Sequence, residues 1–314
     1  MYSNPETLLE DSGRTDSTWR RASEIVSAQL NVPSHVAGLF RAGLSGQTQP
    51  KETIKVLGFS RLNPGCLLNA AGLQEKENVS EAAAVEHALQ ILGPRFSSVV
   101  LAINLCCRQV LSTRPPAVWR KVFEEMMINI EVGYRLGSRV FDLGIHGGSL
   151  MGFAMTAGYS LLLAHQPKVF RDWNNSRKDS EGRRSEIEFF GCNAYQLSSL
   201  ALQQLGFGHQ IAVGIACGGG GVNEASFHMT DDILFWQAAY HWVEALRDGR
   251  NYPADPRLRT VFPELNPVQA SGQNRNMVLE VIYTEISGVR QNGSNWTWHL
   301  PRPSYQETLE SITG

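Results

Sequence analysis

The stretch LMGFAMTAGYSLLLAHQP, Leu150 to Pro167, carries no Asp, Glu, Lys or Arg. Wound at 3.6 residues per turn, its apolar side chains (Leu150, Met151, Phe153, Ala154, Met155, Ala157, Leu161 to Ala164) fall on every side of a helix. A helix that is apolar all round is buried in the middle of a domain. The run covers about 15 residues before the polar His165-Gln166, short of the ~20 that cross a bilayer, so it predicts a core helix. Gly152, Thr156, Gly158 and Ser160 interrupt it with small or polar side chains. Whether those interruptions belong to a catalytic site is the question they raise.

The whole chain suits that core. Its 314 residues are 42% hydrophobic and 18% charged, with a net charge of −2. These are ordinary values for a globular protein. Without a basic excess, neither nucleic acid nor an anionic membrane is expected as a partner. The N-terminus, MYSNPETLLEDSGRTDS, lacks a basic start followed by an apolar run, which predicts no signal peptide and a cytoplasmic location. The five cysteines (Cys66, Cys106, Cys107, Cys192, Cys217) form no CxxC, and buried free thiols are expected at Cys106-Cys107. The Asn-X-Ser/Thr matches at Asn78, Asn292 and Asn295 are chance matches in that setting.

Helical punctuation runs along most of the sequence. Residues 1–18 are polar and read as a tail. Ser80 suits the N-cap of a helix whose stripe is Ala82, Val85, Leu89 and Leu92, and Gly93-Pro94 ends it. Pro115-Pro116 opens a helix from Trp119. The mixed-charge stretch 173–186 reads as an exposed loop whose arginines and lysine could touch a phosphate, though a solvated loop needs no ligand. Asn193 can cap a helix that Gly206 ends, and Gly218 to Gly221 read as a flexible turn. Ile233, Trp236, Tyr240, Val243 and Leu246 mark another helix, and MVLEVIYTEISGVR a last one. No alternating strand pattern and no fixed-period repeat appears. The fold class predicted is all-α, a multi-helix bundle forming one domain over 19–290. Within it, 19–112 is an N-terminal helical subregion, 113–250 the core and 251–290 a C-terminal extension; 291–314 read as an irregular tail.

The order of these segments resembles the HDOD family, the HD-related output domain of bacterial signalling proteins. LNVPSHVAGLF is similar to the family's opening turn and first helix, and KETIKVLGFSRLNPGCLLNAAG to its next segment, with Asn63-Pro64 at the family's Asp-Pro. VSEAAAVEHALQILGP matches best, Trp119 starts the family's central helix, and FFGCNAYQLSSLALQQLGF resembles a later one. The similarity spans roughly Ala22 to Arg250. The resemblance implies an HD-domain-like helical bundle, related to the HD-type metal-dependent phosphohydrolases. In those enzymes histidines and an adjacent His-Asp pair hold divalent cations that lower the pKa of bound water.

Aligned on that pattern, Gly152, Gly158 and Leu161 to Ala164 keep their places, while the His-Asp pair becomes Met155-Thr156. The first metal histidine falls at Lys121 or the adjoining Val122, and the later one at Asn193 or Ala194. A thioether and a neutral hydroxyl are poor substitutes for imidazole and carboxylate, and an ammonium repels a cation. The resemblance therefore implies no catalytic residue, no metal and no cofactor. Of the eight histidines, none forms HxxxH or HExxH and none precedes an aspartate. His146, in the glycine-lined GIHGGS before the core helix, is the candidate for ligand contact. Asp231-Asp232 at a helix start offset the dipole, and the glycine run lacks the Lys-Ser/Thr of a P-loop.

The reading that follows is a non-catalytic signal-transduction or regulatory protein that binds a protein partner in a signalling pathway, or a small ligand. Two alternatives stand beside it: a phosphohydrolase with a rearranged metal site, and a nucleotide or metabolite sensor that uses the cavity the metal would have left.

Overall fold

The computed structural model describes residues 7–59, 62–73, 80–115, 118–176, 182–219, 221, 222, 224, 227–265 and 277–293. Among them every regular element is helical, as the spacing predicts. The N-terminal layer comprises α1 (Leu8–Thr15), α2 (Ser17–Gln29), α3 (Ser34–Leu44), α4 (Pro50–Phe59), α5 (Gly65–Ala70) and the long α6 (Glu81–Ser112). The central pair is α7 (Trp119–Gly137) and α8 (Gly144–His165), followed by α9 (Pro167–Ser176) and α10 (Gly182–Phe190). Then come α11 (Ala194–Gln204), α12 (His209–Gly218), α13 (Asp231–Arg247), the single turn α14 (Pro256–Arg259) and α15 (Met277–Asn292).

Local chemistry sets many of these boundaries. The Ser80 hydroxyl accepts from the Ala83 amide, and Thr230 does the same for Ile233, each relieving an unpaired amide at a helix start. Gly93 breaks α6 at φ +70°, where a Cβ is disfavoured, and Pro94 restarts the helix on the other side. The break turns two amphipathic halves in different directions.

The centre of the bundle is α8. Its side chains from Gly147 to Gly158 are all buried, with α2, α6, α7, α11 and α13 packed around it. Two helices, α6 and α8, have the length and hydropathy of a membrane span, but the apolar window of α8 is 94% buried inside the bundle. The glycines explain how one helix takes so many neighbours. A Cβ on Gly133 of α7 would lie 2.0 Å from the Gly148 carbonyl oxygen, and one on Gly148 would lie 1.9 Å from that of Gly133. Gly137 meets Gly144 and Gly152 meets Asn129 in the same way. The two helices touch backbone to backbone along three turns. On the other side of α8, a Cβ on Gly158 would sit 1.9 Å from the Ala194 oxygen of α11.

Four expectations change. First, much of the supposed tail of residues 1–18 is helical, because Leu8, Leu9 and Trp19 are buried in a cluster with Ala212, Val213, Ala216, Phe227 and Ile233. An apolar stripe of two leucines is too short to read from sequence. Second, α8 begins at Gly144, so His146 sits in its first turn and not in a loop; glycine, a poor helix former, is used there for close approach. Third, the supposed loop 173–186 is helical on both sides of 177–181, with Trp173 and Glu186 buried. Fourth, the glycine run is tied down where described: α12 ends at Gly218, the Gly221 amide donates to the Ala216 carbonyl, and Trp19 Nε1 donates to the Gly221 carbonyl. Of the C-terminal tail, Gln291 and Asn292 close α15, and 294–314 lie outside the described residues.

Replacing Gly133 with Ala drives a methyl group into a backbone carbonyl and is expected to lower stability by about 3 kcal/mol or more. Gly38→Ala in α3, where a Cβ meets nothing within 4 Å, should instead raise it by about 0.5–1 kcal/mol. Denaturant midpoints of the two variants check the contrast.

Candidate functional site

Met155 and Thr156 lie in the middle of α8, 6% and 2% exposed. The Thr156 hydroxyl faces α7, where it accepts from Asn129 Nδ2 at 2.7 Å. Both groups are buried, and each satisfies a polar atom that would otherwise be stranded. The thioether of Met155 adds apolar surface and no charge. Lys121 lies nearer Tyr159 than Thr156, lining a small cavity with Tyr159, Phe170 and Trp173. It lies eight residues before Asn129 on α7, about 12 Å along the helix axis, with its side chain exposed.

One turn further along α8, Tyr159 reaches the other side of the would-be site. Its hydroxyl donates to Glu186 Oε1 at 2.9 Å, while Glu186 Oε2 accepts from the Ala194 amide at 2.8 Å. Glu186 is 1% exposed, so its carboxyl group depends on such partners. Ala194, the first residue of α11, is buried and offers only backbone. Its neighbour Asn193 is committed to a capping box: Asn193 Oδ1 accepts from the Gln196 amide, and Gln196 Oε1 accepts from that of Asn193, both at 3.0 Å. A direct tie also joins α8 to α11, from the Gly158 amide to Ser198 Oγ at 2.9 Å.

The structure thus gathers Met155, Thr156, Asn193 and Ala194 around the middle of α8 and adds Asn129, Tyr159 and Glu186. Sequence reasoning passed over those three. Asn129 is a polar residue inside the apolar run MMINI, which is a usable signal; Glu186 fell in a stretch read as a loop.

These residues do not fit a divalent cation. Thioether, methyl and amide groups replace hard anionic or imidazole donors, and the hydroxyl of Thr156 and the carboxyl of Glu186 are already bonded within the protein. Beside Tyr159, a small cavity of about 10 Å³ is bounded by Lys121, Glu125, Phe170, Trp173 and Asn174.

The other candidates divide by environment. Burial, with help from the Arg95 guanidinium, holds His146 down to about 4, so it is neutral at ordinary pH. Burial raises Cys66, Cys106, Cys192 and Cys217 to about 12 and pushes Cys107 upward as well, which keeps them as unreactive thiols. Asp231 and Asp232 occupy the first turn of α13, and their positions favour the helix dipole.

Thr156→Val leaves the Asn129 amide unpaired and should cost about 1–3 kcal/mol. Adding Asn129→Leu should recover part of that loss, because no buried polar group is then stranded; urea unfolding of the single and double variants measures the coupling. His146 supplies a pH test. Its folded value lies below the ordinary 6.5, so the unfolded chain binds the extra proton. The stability it contributes is complete above about 6.5 and is lost as pH falls toward 4. His146→Gln should therefore flatten the pH dependence of unfolding in that window relative to wild type.

No protein-family model and no curated protein sequence matches this chain. Its structure is similar to that of an HDOD domain protein of unknown function from Geobacter sulfurreducens. The TM-score is 0.57 at 12% identity, over 92% of this chain and 97% of that one. Agreement across nearly all of both chains establishes the architecture: this protein has the HDOD fold.

Proposed function

We propose that the chain is a non-catalytic regulatory protein that acts by binding a protein partner in a cytoplasmic signalling pathway. The observation that carries this reading is the pair of direct bonds, Asn129 to Thr156 and Tyr159 to Glu186, spanning the place where an HD-type enzyme would hold its cation. Side chains bonded to one another do not have to be displaced for the fold to form, but they would have to be displaced for a metal to bind. The rearranged phosphohydrolase lacks a donor set at this position.

Protein purified in the presence of manganese, iron and magnesium should carry less than stoichiometric metal, and should not hydrolyse bis-p-nitrophenyl phosphate in a chelator-sensitive way. A stoichiometric divalent ion, with hydrolysis that chelator abolishes, overturns the reading. The binding half is tested by tagging the chain in its native cell: one protein should co-purify at constant stoichiometry and rebind the purified chain.

A further inference from the structure

Away from the centre of α8, the outer surface holds a trough of about 720 Å³ between α2 and α11. These two walls run in the same direction. Gln196 Nε2 donates to Thr18 Oγ1 at 2.7 Å near one end, and Gln204 Nε2 donates to the Leu30 carbonyl at the other. The buried Leu9, Trp19 and Val26 and the half-buried Leu200 form an apolar floor. Arg20, Ser23, Glu24 and Ser27 stand along the rim and are exposed, so the trough is open to solvent. A third wall comes from α1, which buries only Leu8 and Leu9 but brings Glu10 and Gly13 to the trough.

Shape and charge together select an occupant. Small ligands are held in enclosed pockets that cover most of their surface, whereas a trough between two helices covers one face, as a helix laid in a groove requires. Ser23 and Ser27 lie one turn apart on α2, and their short side chains let another backbone come close. The charge on the rim is unbalanced. Arg20 donates to the Gly13 and Arg14 carbonyls, which turns its cation to the negative end of α1. Glu24 is paired with Arg21, but Glu10 forms no hydrogen bond or ion pair among the described residues. We propose that this trough is the docking surface for an amphipathic helix of a partner protein. Apolar side chains of that helix meet Leu9, Val26 and Leu200, and a lysine or arginine on it pairs with Glu10. The proposal rests on the partner-binding reading above and gives it a location and a partner chemistry.

Photo-cross-linking of the full chain in its native cell reads the contact directly. The photoreactive residue p-benzoylphenylalanine replaces Ser27 or, as a control on α15, Thr284; both positions are exposed. Cross-links from the Ser27 site should map to one helical segment, bearing lysine or arginine, of the protein that co-purifies, and none should form from the Thr284 site. With that protein purified, Ser27→Arg and Glu10→Lys should each weaken binding about tenfold or more at an unchanged melting temperature. Added salt should narrow the gap between wild type and Glu10→Lys. Cross-links from the Ser27 site to a second copy of this chain alone overturn the trough, as does a Kd that neither variant changes, even where a partner still co-purifies. If no protein co-purifies, the partner-binding reading falls and the trough with it.

Discussion

The backbone contact between α7 and α8 is the constraint from which the rest of the architecture follows. Helices that meet through ordinary side chains keep their axes about 8–10 Å apart. Here Gly133 and Gly137 on one helix face Gly144, Gly148 and Gly152 on the other, so closely that a methyl group at these positions would overlap a carbonyl group. At that separation Cα–H groups lie against carbonyl oxygens, each a weak attraction, repeated turn after turn. The larger effect is geometric. Because no side chain intervenes, the two helices have one register, and neither can rotate or slide by a residue without a clash. That register puts the Asn129 amide against the Thr156 hydroxyl.

The opposite side of α8 is fixed in the same manner, by Gly158 against the Ala194 carbonyl and by the Gly158 amide against Ser198. A helix gripped on two sides leaves little freedom at Met155 and Thr156 between the grips. A metal centre often contributes to the folding energy of the domain that binds it, since its ligands converge only in the native state. In this chain the convergence is maintained by shape, and the polar atoms that shape brings together bond to one another.

The fold was legible wherever it depends on periodicity or on caps. Ser80 and Asn193 stand at helix starts, Gly93 and Gly206 mark breaks, and the uncharged, largely apolar run around Leu161 announces the core helix. Legibility failed where a short element is stabilised from a distance. Leu8 and Leu9 make α1 a helix only because Ala212, Val213 and Ile233 wait at the far end of the chain. In α9 and α10 the inner face of Phe170, Trp173, Glu186 and Phe190 is too sparse to set a period, and apart from the buried Glu186 the side chains of the charged residues that suggested a solvated loop lie outside the described residues. His146 was misplaced for another reason: GIHGGS has loop composition, and nothing local reveals that its glycines serve a neighbouring helix.

The candidate site shows the same divide at finer scale. Met155 and Thr156 lie on α8 and Ala194 at the start of α11, and these elements converge through the close contact of Gly158 with the Ala194 carbonyl. Lys121 stands eight residues before Asn129 on α7, at the level of Tyr159. Asn129 and Glu186 were missed since each acts through a partner distant in sequence, 27 residues away at Thr156 and 27 away at Tyr159. Buried polar groups of this kind contribute modestly to stability but sharply to uniqueness, because any alternative packing strands them. The identity of the residues in the site is therefore less informative than their pairing, and the pairing is a property of the folded chain alone.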